Sequence, residues 1–461
     1  MNISKKADVF QIVEEEKKQL SLFFCNKKTT RCLRFDEHFT IVDSIASDRP
    51  SSASDNIVGY SLSENNYYAY WAGSNNKEIL GQCFDFNAKK VSEKSFHLEF
   101  EKEKVITRIT IDNVFYVVSI VKNTSVLNFY MFKNGILEKK SIDLSNKRFL
   151  DSKSKPAPLW DLVSGSTSFE GPFSFQTIAS DTPPSLALSA NKRKLYVFGN
   201  SVVFSMDINK NFTQTFTVNL LDFSVNQKVY SQPFFEGRVP NPDDNLDTYY
   251  LAENTSSFML KDAIVQIKAV DNVIKISAKN LNGDELKSFK ISAVDYINFK
   301  NSAIYQENGS VKSLKTVENS SQFAKKMSDL NPSLSIYQSN GRLCMVVGGV
   351  SLVQQNDGIM IGGMIGGFTG ALIGAALTSN YYLDNLNSYK NRNVVYANCL
   401  FDKDFNHLDG DAQKTAFDVL RGFAEKNEEL TSATILKLNS NLYYGGYDIK
   451  NKTYSFYKFN D

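Results

Sequence analysis

Catalysis and metal binding need ionisable or metal-ligating side chains gathered in one place, and in this 461-residue chain such material is thin. The only histidines are His38, His97 and His407, and the five cysteines (Cys25, Cys32, Cys83, Cys344 and Cys399) are scattered. The richest set of oxygen ligands is DKDFNHLDGD at 402–411, where Asp402, Asp404, Asn406, Asp409 and Asp411 have a spacing that suits calcium. His407 stands where an EF-hand loop needs its turn glycine, and Gln413 replaces the twelfth-position Glu. We therefore read the segment as a β-turn running into a helix cap and assign no metal. NPDDNLD at 241–247 lacks the following Gly or Glu and reads as a polar loop.

Other catalytic signatures are missing from the sequence. It has no G-x-S-x-G nucleophile elbow, no H-E-x-x-H pair and no glycine loop ending in Gly-Lys-Ser/Thr. Trp71, Trp160 and the tyrosine pairs at 67–68, 249–250, 381–382 and 443–444 offer walls for a ligand mouth, but in a β-rich chain they are first of all core residues. The expectation is a non-enzymatic protein without a cofactor. The odd, dispersed cysteines sit mostly in apolar runs such as SLFFCN, which reads as free thiols packed in strands.

Composition narrows the class further. Basic and acidic residues number 52 and 50, a formal charge of +2, which argues against nucleic acid as a partner because phosphates demand clustered Lys and Arg. A 42% apolar and 22% charged chain is globular. The first twenty residues hold no apolar run of signal-peptide length, so the expected location is cytoplasmic or peripheral to a membrane.

The elements that would position any site are short β-strands: runs rich in Phe, Tyr, Val, Ile and Thr between Asn, Asp, Gly, Lys and Ser turns. One phrase, a polar turn followed by an aromatic strand, recurs at 64–73, 112–119, 191–199, 339–349 and 439–446. A second, Phe/Met-Asp then a few polar residues then Phe, recurs at 34–40, 205–213 and 400–406. A third echo, SIASDRP (44–50) against TIASDTP (177–183), follows two expected outer strands. Units of four strands at 8–46, 57–100, 104–144, about 183–220 and 256–292, a weaker one from 333 and a three-strand unit at 432–459 resemble the blades of β-propeller repeat proteins. The resemblance implies a mainly β single domain over 1–461, a propeller of about seven four-stranded blades; the alternative is two β-sandwich-like domains. With three strands in the last unit, the N-terminal segment is expected to supply the fourth and close the ring. Residues 319–329 and 411–428 read as short helices, the second with Ala412, Thr415, Ala416, Leu420 and Phe423 along one face.

One segment breaks the pattern. GIMIGGMIGGFTGALIGAAL (358–377) places Gly358, Gly362, Gly366, Gly370 and Gly374 four residues apart, with Gly363 and Gly367 beside them. Ile361, Ile365, Phe368, Leu372 and Ile373 fill the spaces, and no charge occurs from Gly358 to Leu383. Such small-xxx-small spacing lets another surface approach a helix closely. The segment resembles the glycine zippers of bacterial membrane proteins and of some toxin translocation hairpins, which implies self-association or membrane contact. The insertion, bounded at 354–392, falls between the second and third strands of the sixth unit. A single membrane crossing there would place 394–461 across the bilayer from 1–350, which one ring forbids.

The sequence reading is thus an interaction scaffold whose glycine-rich helix docks to a protein partner, to further copies of itself or to a membrane component. The alternatives are an effector or pore-forming protein with an inserting segment, and a propeller enzyme such as a hydrolase.

Overall fold

The computed structural model describes residues 7–50, 56–73, 78–98, 100, 102–235, 254–353 and 380–460. Among them, seven mostly antiparallel sheets of three to five strands follow one another as blades. Blade 1 covers 8–48, blade 2 56–97, blade 3 103–143, blade 4 176–231, blade 5 254–291 and blade 7 431–459, while blade 6 is assembled from 304–317, 331–350 and 393–401.

Burial follows strand position. In blade 3 the second strand, Val114–Val121, is an almost continuous buried run, whereas the fourth, Ile136–Asp143, keeps only Ile142 buried and carries Glu138, Lys139 and Lys140 outward. The fourth strands of blades 1, 2 and 5 are equally exposed. This gradient marks the fourth strands as the outer rim. The middle strands are apolar on both sides because each blade packs both its faces against neighbours.

Separate apolar clusters join successive blades. Phe10, Phe23, Tyr67 and Phe84 join blades 1 and 2; Tyr70, Phe96, Phe115 and Phe132 join 2 and 3; Ile120, Phe129, Phe204 and Phe216 join 3 and 4. A larger cluster runs through blades 4, 5 and 6, from Tyr196 through Ile276 to Met345. Leu20, Leu22, Phe24, Leu436 and Tyr443 pack blade 1 on blade 7 and close the circle. This closed ring of face-to-face sheets is a β-propeller, and it excludes the two-sandwich alternative.

Blade 1 is complete in itself. The strand Asp8–Glu14 pairs with Gln19–Cys25 in its own blade, and the last sheet has three strands among the described residues. Blade 6 is also not a simple meander. Its outer strands, Ile304–Asn308 and Lys315–Val317, precede its inner ones in the chain, and Ile304–Asn308 pairs with Asn393–Phe401.

Among the described residues five α-helices decorate the ring: α1 (Leu159–Ser164), α2 (Leu186–Ser189), α3 (Ser320–Asp329), α4 (Tyr381–Asn387) and α5 (Ala416–Lys426). Helix α3 starts after an Asn319 cap, within the expected 319–329. Helix α5 is shorter than the expected 411–428, because Thr415 and Asp418 form a capping box that sets its first turn. Ala412 and Thr415 therefore lie outside the helix, and its buried face is Ala416, Phe417, Leu420 and Arg421.

Candidate functional site

The irregular stretch between blades 3 and 4 and the chain after the glycine-rich insertion meet on the axis of the ring. Gln176–Ile178 pairs in parallel with Arg193–Phe198 and adds an inner strand to blade 4. TIASDTP therefore lies at the axis and not beside an outer strand, so its echo of SIASDRP is one of sequence alone. Asn385 of α4 accepts from Ser185 N at 2.7 Å and donates to Pro183 O at 2.9 Å; Ser388 Oγ meets Ser185 Oγ at 2.7 Å. Leu186 N donates to Tyr389 Oη at 2.9 Å, and Asn380 Nδ2 reaches Gln11 Oε1 at 3.0 Å and Thr434 Oγ1 at 3.1 Å. Residues 380–388 are thereby stitched to blades 1 and 7 and to the connection between the first two strands of blade 4.

Beside this plug lies a cleft of about 540 Å³. Blades 1 to 4 contribute Phe10, Tyr60, Arg108, Asp112 and Val197 to its wall, the 176–181 segment forms another side, and Tyr381 and Asp384 project from α4. Local structure explains several of these positions. A β-bulge between Ile57 and Gly59 interrupts the first strand of blade 2, and a side chain on Gly59 would collide with the Phe115 ring at 2.1 Å. Tyr60 N and O both bond Thr110 Oγ1, at 3.2 and 3.0 Å, and tie the first strands of blades 2 and 3 together at the wall.

Of the charged residues lining the cleft, Asp384 and Arg108 are half-buried, whereas Asp112 and Asp181 are exposed. Burial pushes the Asp384 carboxyl up to about 7 and the Arg108 guanidinium down to about 10. Burial, with the charge of Glu14 adding to it, raises the Tyr60 phenol to about 12, and Tyr381 is raised too. Asp181 is exposed; its carboxylate accepts from Tyr382 Oη at 2.5 Å and its carbonyl from Lys437 Nζ at 2.5 Å. No histidine or cysteine lines the cleft among the described residues. The arrangement is suited to binding: aromatic and aliphatic walls with a few ionised groups.

Gly358, Gly362, Gly363, Gly366, Gly367, Gly370, Gly374, Ile361, Ile365, Phe368, Leu372 and Ile373 fall outside the described residues. The flanks of that insertion are described. Ser351 N donates to Asn393 O at 2.8 Å and Arg392 Nη1 to Ser351 O at 2.8 Å, so the two flanking strands of blade 6 are clamped at its base. The polar tail 380–392, counted from sequence as part of the insertion, instead contains α4 at the axis. Among the described residues no helix is long and apolar enough to cross a membrane.

The carboxylates of 402–411 belong to a turn. Asp402 Oδ1 accepts from Asp404 N at 2.9 Å and Asn406 N at 2.8 Å, while Phe405 takes a left-handed φ of 60°. Among the described residues no three His, Cys, Asp or Glu side chains are grouped to hold a metal. His407 Nε2 lies 3.0 Å from Asn301 Oδ1. All five cysteines are free thiols, and burial pushes Cys25 up to about 12. Of the aromatic candidates, Tyr381 reaches the cleft, while Tyr67 and Trp71 are core and Trp160 packs at a tilt against Phe173.

Sequence reasoning missed Asp384 and Arg108. The available signals were slight: Asp384 is the first charge after the uncharged 358–383 stretch, and Arg108 interrupts the strand EKVITRITI.

No protein-family model matches the chain, and a search of curated proteins finds no match. Solved structures with similar outlines include Kluyveromyces lactis Hsv2 (8% identity, 99% of this chain and 98% of that one, TM-score 0.33). The WD40 domain of SCAP from fission yeast is 9% identical over 98% of this chain and 87% of that one, with a TM-score of 0.31. AofleA from Arthrobotrys oligospora is 9% identical over 76% of this chain and 81% of that one, with a TM-score of 0.25. These overlaps are loose, and the sheet topology alone defines the propeller.

Proposed function

We propose that the protein is a non-enzymatic interaction scaffold, in which the propeller carries the glycine-rich segment 358–377 as a docking element. Its partner is a protein, another copy of the chain or a membrane component. The observation that carries this reading is the way the insertion joins the ring. The chain leaves blade 6 after a strand clamped by Ser351 and Arg392, and it re-enters at Asn380, bonded to blades 1 and 7. An uncharged stretch with five glycines in i,i+4 register needs a closely packed cover. The lack of any nucleophile–base pair in the sequence motifs is consistent with a binding role.

The test is deletion of residues 354–379 with a short Gly-Ser bridge, keeping 380–392 because α4 belongs to the axial plug. The expected outcome is a folded propeller with an unchanged melting temperature that has lost oligomeric mass or detergent dependence, read by light scattering. An intact chain that is already a monomer without detergent, and captures nothing through 354–379, would refute the reading.

A further inference from the structure

We propose that the axial cleft binds a small organic cation, a protonated amine on an aromatic or apolar body, with Asp384 as its counter-ion. The inference goes beyond the scaffold reading and does not depend on the insertion. Three observations support it. First, the Asp384 carboxylate lines the cleft, is half-buried, and has no hydrogen bond or ion pair from the described chain. A carboxylate removed from water without a partner is costly, so a site that retains one has a place for a positive group. Second, among the described lining residues Asp112, Asp181 and Asp384 carry carboxylates, the first two exposed, and Arg108 a guanidinium, so the described charge is net negative. Third, Phe10, Tyr60 and Tyr381 supply ring surface in the same cleft, and such surface favours both an apolar body and a cation near its face. The volume, about 540 Å³, is that of a small-ligand pocket. Helix α4 is not free to swing its carboxylate into solvent, because Asn380, Asn385 and Ser388 each anchor it.

The full chain is titrated at pH 8 with phenethylamine and, separately, with 3-phenylpropionate, which keeps the ring and reverses the charge. We expect saturable phenethylamine binding, the anion at least tenfold weaker, at least a tenfold loss in Asp384→Asn and most affinity kept in Asp384→Glu. No saturable amine binding, equal binding of the anion, or unchanged affinity in a folded Asp384→Asn protein overturns the proposal. A second measurement needs no variant: carbodiimide coupling of glycine ethyl ester to Asp384 in the native chain, read by peptide mass. Trimethylphenethylammonium, which cannot itself couple, should slow that labelling at least threefold; an unchanged rate overturns the proposal independently.

Discussion

Asp384 illustrates how one half-buried side chain links stability to pH. Its carboxyl ionises near 7 in the fold and near 4 in an unfolded chain. The folded state therefore binds more protons between those values, and stability falls as pH rises through that window. Below about pH 4 both states are protonated and the penalty vanishes; above about pH 7 it is complete, on the order of 2–4 kcal/mol. Asp384→Asn should accordingly raise the melting temperature at pH 8 and leave it unchanged at pH 4, read by calorimetry at both values. The opposite logic governs Asp207. Burial alone would raise its carboxyl, yet the Lys194 ammonium at 2.9 Å and hydrogen bonds including Thr213 Oγ1 at 2.7 Å hold it below the ordinary range. Both side chains are fully buried, so removing one strands the other charge. Asp207→Ala should cost about 3–5 kcal/mol, and Lys194→Met/Asp207→Leu less, when compared by denaturant unfolding.

Turns and helices explain which sequence phrases carried structural meaning. Asp112–Asn113, Asp271–Asn272 and Asn439–Ser440 all have both residues at positive φ, as does Asn340–Gly341. These are two-residue hairpin turns, between the first and second strands in blades 3 and 7 and between the second and third in blade 5, which is why a polar pair precedes an apolar run so often. The Phe-Asp phrase is equally mechanical. Asp36 accepts from His38 N and Thr40 N just as Asp402 does from Asp404 N and Asn406 N, and Phe39 and Phe405 share φ near 60°. What looked like ligand spacing is a carboxylate satisfying backbone donors. Helix α5 has a different task, because it bridges blades 6 and 7. Arg421 forks onto Glu307 at 2.6 and 3.1 Å and lies over the Tyr389 ring at 4.4 Å, while Glu425 accepts from Ser310 Oγ and Val311 N. Arg421→Ala leaves Glu307 buried without its partner. A loss of about 3–5 kcal/mol is expected, with amide exchange accelerating first in 304–317 and 431–438.

At the scale of the molecule, stability rests on closure. Each blade is covered on both faces only while the circle is complete, and the junction of blades 1 and 7 is made by side chains more than 400 residues apart, such as Gln11 Nε2 to Ile435 O at 2.6 Å. Truncation after residue 430 uncovers Leu20, Leu22, Phe24, Leu33 and Phe35 at once. The shortened chain should lose cooperative unfolding and bind a hydrophobic dye, whereas a stable, dye-silent fragment would show that six blades close without the seventh. The four-strand units read at 8–46, 57–100, 104–144 and 256–292 were legible from alternating apolar runs and turn residues, because these patterns are local. The outer strands of blade 6 were not, since Ile304–Asn308 finds its partner some ninety residues later and no local pattern encodes that pairing. The cleft was hidden for the same reason. Phe10, Tyr60, Arg108 and Asp384 are ordinary residues within their own segments, and they become a charged, ring-lined pocket only when four blades and α4 converge on one axis. Local periodicity and turn chemistry thus determined the strands and blades, while long-range packing and the desolvation that accompanies it decided which side chains meet and how they ionise.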